Sequence, residues 1–271
     1  MTIKRRPKVL KSLSELISLK GKRALITGSA VGIGRAMALR FAEAGAVLEL
    51  VDINTHGLGA VKKELAQFNH EVNIHKVDIS SREAIDSLWE ELSGKEPDIL
   101  VNNAGVYPFK NFLDTDVAFL KRVMDINLQS AFLMCQQMIR RRLKRGGVII
   151  NISSIEAIMP FAEGLVAYDI SKTGVIGLTR GLAKEYGRHG FRINVILPGG
   201  INTPGTRAVA KDISQFKFSL LKTGYDFKAR LPMNRGGQPD EVARVALFLA
   251  SDMSSYVHGA LVAVDGGFLS A

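Results

Sequence analysis

Tyr168 and Lys172 stand four residues apart in a stretch with helical patterning (residues 166–188), which puts both side chains on one helix face. A phenol of ordinary pKa, near ~10, is a poor base at neutral pH; an ammonium beside it stabilises the phenolate and brings it toward the working range. Just upstream, Asn151-Ile152-Ser153-Ser154 closes an apolar run and offers two hydroxyls. Ser154 is the expected donor to a substrate oxygen, with Ser153 as the competing donor. A cation-assisted acid/base next to a hydroxyl donor suits transfer of a hydride to or from a carbonyl or an alcohol.

A second set of residues suits a dinucleotide. The first apolar run leads into Thr27-Gly28-Ser29-Ala30-Val31-Gly32-Ile33-Gly34 and then a helical pattern. Gly28 permits the tight turn, Gly32 lets a pyrophosphate approach the backbone, and Gly34 lets the helix pack on the strand. The helix start, with Ile33 in its first turn, presents unpaired N–H groups and a partial positive charge. Asp52 ends the second run, 18 residues beyond Gly34, where a carboxylate accepts from ribose hydroxyls and repels a 2′-phosphate. Its neighbour Ile53, and Val31 before Gly32, are not the basic residues a phosphate would want, so NAD is expected over NADP. Asp78 and Ile79, after the third run, are placed to meet the adenine. Asn102-Asn103-Ala104-Gly105 ends the fourth, with Asn102 read as structural, Asn103 and Ala104 as facing the cofactor, and Gly105 as leaving room for its passage. Pro198 and Gly199 end the sixth with a non-helical turn near the nicotinamide.

These residues need a sheet edge to converge on. Nearly continuous apolar runs at 23–27, 46–52, 72–78, 99–102, 148–153, 192–197 and 261–265 read as strands buried on both faces. Helical patterns at 33–44, 58–68, 82–92, 118–145, 166–188 and 241–250 alternate with them. This rhythm predicts an α/β fold: a doubly wound, mostly parallel, seven-stranded sheet with helices on both faces, of Rossmann type. Residues 1–20 stand outside it as a basic arm, with Val9, Leu13, Leu16 and Ile17 spaced for a short amphipathic helix. Residues 21–271 form the single expected domain, with a long insertion at 199–235 read as a lid over the substrate.

The turn from Thr27 to Gly34, with Asp52, Asp78, residues 102–105, Asn127, Ser154, Tyr168, Lys172, Pro198-Gly199, Thr203 and the closing Asp265-Gly266-Gly267, resembles the short-chain dehydrogenase/reductase family, in its single-domain, NAD-preferring branch. The resemblance runs from about Lys22 to the C-terminal end. It implies that Tyr168 is the catalytic acid/base, that Lys172 binds the nicotinamide ribose and lowers the tyrosine's pKa, and that Ser154 polarises the substrate oxygen. Asn127, in Asp125-Ile126-Asn127-Leu128, would complete a water-linked proton relay through Lys172, and Ile201 and Thr203 would contact the carboxamide. It further implies a homotetramer or homodimer, built on the helices 118–145 and 166–188 and the last strand. Ser154 lies 14 residues before Tyr168, one more than the family pattern, and the N-terminal arm has no counterpart.

The substrate pocket is expected between residues 155–167, residues 106–111 and the lid. Glu156 reads either as a partner for a substrate hydroxyl or as an exposed loop carboxylate. The net charge of +10 is carried by the arm and by the lid, while the body is near neutral, which argues against nucleic-acid binding and suits an anionic or polyhydroxy small molecule. No apolar run is long enough for a membrane span. The five histidines show no metal-ligand spacing, and the single cysteine, Cys135, cannot form an internal disulfide, which suits the cytoplasm. The expectation is an NAD-dependent dehydrogenase of a sugar, polyol or hydroxy acid. The alternative is an NADPH-dependent 3-oxoacyl-thioester reductase, with Arg140, Arg141, Arg142, Lys144 and Arg145 docking an acidic carrier. A non-catalytic dinucleotide sensor, or a methyltransferase on a similar sheet, would have no use for Tyr168 and Lys172 together.

Overall fold

A computed structural model describes residues 10–205 and 229–271. Seven strands, β1 (Arg23–Thr27), β2 (Val47–Asp52), β3 (Val72–Lys76), β4 (Ile99–Asn102), β5 (Gly147–Ile152), β6 (Phe191–Pro198) and β7 (Leu261–Val264), pair in the order β3-β2-β1-β4-β5-β6-β7. Every pairing is parallel. The helices are α1 (Leu13–Ile17), α2 (Gly32–Glu43), α3 (Thr55–Leu65), α4 (Arg82–Glu91), α5 (Val117–Met124), α6 (Ser130–Arg142), α7 (Val166–Tyr186) and α8 (Pro239–Ala250).

Side-chain alternation along the strands divides the core in two. Ala24, Ile26, Leu48, Leu50, Ile99 and Val101 meet α2, α3 and α8 on one face. Leu25, Val51, Leu100, Ile149 and Ile193 meet α4, α6 and α7 on the other. Both faces are therefore dry, which is why the strands read as unbroken apolar runs. The chain reverses direction across the sheet between β1 and β4, so the crevice for a ligand opens at their carboxyl ends. The Thr27 hydroxyl ties the two ends together, accepting from the N–H groups of Asn103 (3.0 Å) and Ala104 (3.1 Å).

Two expectations are corrected. The helix predicted over 118–145 is interrupted by a π-helical turn, Asp125–Gln129, between α5 and α6. The arm's helix covers only Leu13–Ile17, held by a Ser12–Glu15 capping box, with Leu13 exposed and Leu16 half-buried. Beyond it, the buried Leu19 and the Lys11–Asp252 ion pair (2.6 Å) fasten the segment to the domain. Val9 lies outside the described residues, as does 206–228, the greater part of the expected lid.

On the sheet's outer strands, Glu49 is buried against the Arg23 guanidinium, Asn73 and His75, whose Nε2 is 2.7 Å from a Glu49 oxygen. Burial opposes charge on His75, but Glu49, and Glu91 behind it, outweigh burial and raise its pKa. Burial likewise opposes charge on Glu49, and its hydrogen bonds to His75, Asn73 and Arg23 outweigh it and lower its pKa. The His75 contribution to stability is thus present below pH ~6.5 and fades as pH rises through its raised folded value. The Glu49 contribution is present above ~4.5 and fades as pH falls through its lowered one. His75→Leu is expected to cost about 1–2 kcal/mol at pH 6 and measurably less at pH 9 in urea unfolding; an equal cost at both would rule the charged pair out.

Candidate active site

The carboxyl end of β5 delivers the two serines. The Ser153 hydroxyl donates to the Lys172 carbonyl (2.7 Å) and is used in holding α7. Ser154 accepts from the Glu156 N–H (3.2 Å), and its hydroxyl hydrogen-bonds the Tyr168 phenol. The longer Ser154–Tyr168 spacing therefore does not separate them. Tyr168 lies in the first turn of α7, half-buried, with Tyr107 packed edge-on at 4.6 Å between ring centroids. Lys172, one turn on, is buried; its Nζ donates to the Ile152 carbonyl (2.9 Å) and lies 5.8 Å from the Tyr168 ring centroid.

Burial raises the Tyr168 pKa, the Ser154 hydrogen bond opposes that rise, and the charges of Glu156 and Asp169 add to it. Burial brings Lys172 down to about 8, which leaves most of it charged at neutral pH. Asn127 sits in the π turn. Its Oδ1 accepts from the Val106 N–H (2.8 Å), and its Nδ2 donates to the Val106 carbonyl (3.0 Å) and the Ser171 hydroxyl (3.0 Å). Ser171 in turn donates to the Tyr168 carbonyl (2.6 Å), so Asn127 is braced to the helix that carries the phenol. Sequence reasoning missed Ser171 and Tyr107. The signal for Ser171 was its place three residues after Tyr168 and directly before Lys172.

Ser154, Tyr168, Lys172, Pro198, Gly199 and Ile201 line a cavity of about 220 Å³. Ile33, Asn103, Gly105 and Thr203 are shared between it and an adjoining cleft of about 380 Å³, which also holds Gly28, Gly32, Asp52, Ile53, Asp78, Ile79 and Ala104. All the expected site residues thus border the two spaces, except Asn127 and Gly34, which lie behind them. A Cβ on Gly34 would stand 2.1 Å from the Gly28 carbonyl oxygen, and Gly28 itself has φ +64° with Ala104 Cα only 2.7 Å from its own would-be Cβ. Gly32 (φ +58°) is in the left-handed region, and a Cβ there would touch the Thr203 side chain at 3.5 Å. A Cβ on Gly105 would meet Asn127 Oδ1 (3.2 Å) and Lys172 Nζ (3.3 Å).

The polar side chains at and behind the cleft are held by hydrogen bonds. Asn102 joins Asn151 (2.8 Å) and Cys135, as a structural reading requires. The Asn103 amide donates to the Thr27 (2.9 Å) and Gly28 (3.0 Å) carbonyls, so it holds the glycine turn while lining the cleft. Asp78 is turned onto Ser80, whose hydroxyl (2.7 Å) and N–H lower its pKa. Asp52 accepts from the N–H groups of Ala30 (3.0 Å) and Asn54 (2.9 Å), which fix its carboxylate on the cleft rim. Glu156 is corrected: with 1% exposure it is no exposed loop carboxylate, and burial pushes it up to about 7.

The glycine cradle, the left-handed turn at Gly32 on the cleft and the fixed acid at Asp52 fit a nicotinamide dinucleotide. A family profile described as Enoyl-(Acyl carrier protein) reductase matches residues 28–269. The chain is 38% identical to the 2-dehydro-3-deoxy-D-gluconate 5-dehydrogenase of Bacillus subtilis (strain 168) over 262 residues, 95% of this chain and 98% of that one. It is 37% identical to the 3-oxoacyl-[acyl-carrier-protein] reductase FabG of Aquifex aeolicus (strain VF5) over 256 residues, 93% and 98% of the two chains. A short-chain type dehydrogenase/reductase from Mycobacterium marinum superposes with TM-score 0.87 at 30% identity, covering 96% of this chain and all of that one. Solved neighbours at 30–32% identity carry NADH in one case and NADP in others. Profile, relatives and sheet order agree with the motifs, and the chain belongs to the short-chain dehydrogenase/reductase family of oxidoreductases.

Proposed function

We propose that this protein interconverts a secondary alcohol and a ketone on a sugar, polyol or hydroxy acid, with NAD(H) as the hydride carrier. The observation that carries this reading is the meeting of Ser154, Tyr168 and Lys172 on a small cavity that opens into the cleft rimmed by Asp52. The N–H groups at the start of α2 (Gly32, Ile33, Gly34) would hold the pyrophosphate, Asp52 the adenosine ribose with Ile53 beside it, and Asp78 and Ile79 the adenine. Ala104, Gly105, Pro198 and Gly199 would flank the nicotinamide half, with Ile201 and Thr203 at its carboxamide. When bound, the nicotinamide supplies or accepts the hydride.

The chain's own residues manage the proton. In reduction, Tyr168 gives its phenolic proton to the substrate oxygen while Ser154 donates a hydrogen bond to the same atom. In oxidation the phenolate takes that proton back. The Lys172 ammonium favours the phenolate by Coulomb attraction against the burial that disfavours it. Asn127 braces α7 through Ser171 and, through water, would refill the proton by way of Lys172.

NAD preference is tested by steady-state kinetics with both cofactors. Asp52→Ser is expected to shift the ratio of kcat/KM for NAD over NADP by about ten-fold or more toward NADP, because it removes both a ribose acceptor and a charge facing the 2′-phosphate. Wild-type protein that uses NADP faster than NAD would overturn the assignment.

Assembly as a homodimer or homotetramer fits the half-exposed Phe132 and Leu143, which line a groove of about 500 Å³ between α6 and α7. Among the described residues no helix is long and apolar enough to cross a membrane. The buried, unpaired Cys135 suits a reducing, cytoplasmic setting.

The second reading, a 3-oxoacyl-thioester reductase, is favoured by the Aquifex relative. Three of the basic residues that would dock its carrier are already paired: Arg141 with Glu90, Arg142 with Asp98 and Arg145 with Glu96. A carrier-protein pull-down, run beside the cofactor comparison, separates the two readings.

A further inference from the structure

Glu156 shares the cavity of Ser154 and Tyr168, and so far only its charge has been given a part, on the phenol. It belongs to the 3-10 turn Ile155–Ala157 that follows Ser154, and its own N–H donates to the Ser154 hydroxyl (3.2 Å). The residue is 99% withdrawn from solvent (1% exposed) and lines the same cavity as Ser154 and Tyr168. One carboxyl oxygen accepts from the Phe161 N–H (3.0 Å), and the Ala162 N–H also draws on the carboxylate. The other, Oε1, is buried with no hydrogen-bond partner among the described residues. Buried oxygens are rarely left so, because they lose their water without replacement. Among the described residues no cation pairs with Glu156, and the nearby Asp169 also carries a buried oxygen, Oδ1, without a partner. A substrate carboxylate would be repelled here.

We infer that Glu156 Oε1 is a subsite for a substrate hydroxyl on the carbon next to the reacting one, so that the enzyme selects α-hydroxy ketones and vicinal diols over carbonyl compounds bare at that position; this rests on the hydride-transfer reading above. The position follows from the shared cavity: Ser154 takes the reacting oxygen, and Glu156, two residues on in the same turn, lines the cavity beside it. The hydroxyl follows from the state of the acid. With burial holding Glu156 at about 7, both its protonated and ionised forms are populated near neutrality, and a hydroxyl, being donor and acceptor, serves either form. An ammonium serves only one. A substrate without the hydroxyl would enter the cavity and leave Oε1 unpaired, which is how a polar site rejects an analogue.

The test compares matched ketones with NADH: acetoin against 2-butanone, and 2-hydroxycyclohexanone against cyclohexanone. Wild-type kcat/KM is expected to favour the hydroxylated member by about 100-fold. Glu156→Gln should cut kcat/KM about ten-fold more for the hydroxylated member than for the other; Glu156→Leu should abolish the preference. Thermal melts check that each variant folds, and the near-isosteric Gln carries the test if Leu does not. Equal use of both members by the wild type, or a fall shared equally by both in the variants, would show Glu156 acting only on Tyr168 and would overturn the subsite while leaving the dehydrogenase reading intact. If neither ketone pair is reduced, whether or not a 3-oxoacyl thioester is, the dehydrogenase reading fails and takes the subsite with it.

Discussion

Tyr168→Phe is expected to lower kcat by about 10²–10⁴-fold, the range lost with a positioned acid/base. Dinucleotide affinity, read by NADH fluorescence titration, should stay within about two-fold. The separation is physical: phenylalanine keeps the ring and its edge-on contact with Tyr107, and removes only the oxygen that Ser154 reaches. The same oxygen sets the pH dependence. Burial, against the pull of the Ser154 hydrogen bond, holds the phenol above its ordinary pKa, so the proton needed for reduction stays available across neutral pH. Oxidation needs the phenolate and should gain as pH rises, until Lys172 loses its charge above about 8. The oxidation optimum is therefore expected on the alkaline side of the reduction optimum. Full turnover by the Phe variant would end the proposed chemistry and revive a silent binding protein.

Gly34→Ala is the second large effect. The new methyl would lie 2.1 Å from the Gly28 carbonyl oxygen and 2.6 Å from Asn103 Nδ2. Neither can yield cheaply, because one is backbone in a left-handed turn and the other is bonded to both Thr27 and Gly28 carbonyls. The turn must open, and the start of α2 moves with it. The expected outcome is a loss of dinucleotide affinity of about 100-fold with a stability loss of about 1–3 kcal/mol, measured by titration and melting. Gly59→Ala is the control: it lies within α3 with nothing within 4 Å of its Cβ, and should be neutral or slightly stabilising. Undiminished cofactor binding by the Gly34 variant would remove the cradle from the site.

Why the sheet could be read in advance is visible at residues 24–26. Consecutive apolar side chains there feed opposite cores, and only a strand covered on both faces needs that. The glycine turn and the Tyr168–Lys172 pair were legible because spacing alone fixes their geometry. The π turn was not, since the apolar period runs through 125–129 unbroken and the interruption accompanies the distant ties of Asn127 to Val106 and Ser171. Nor could the sequence say that Glu156 is buried, because that depends on how the loop ending at Phe161 folds back over it. Asn103 is legible as a cleft residue from its place at the end of β4, whereas its clamp on the Thr27 and Gly28 carbonyls depends on how β1 and β4 pair.

The π turn also bears on how this helix can change. It holds one more residue than an α turn would, so deleting a single residue from 125–129 would let α5 run straight into α6 as a more regular rod. That repair would leave the flanking faces of α5 and α6 in register and remove the wide turn that carries Asn127 to Val106 and Ser171. The local irregularity and the brace on the phenol's helix are one device, and smoothing the first dismantles the second.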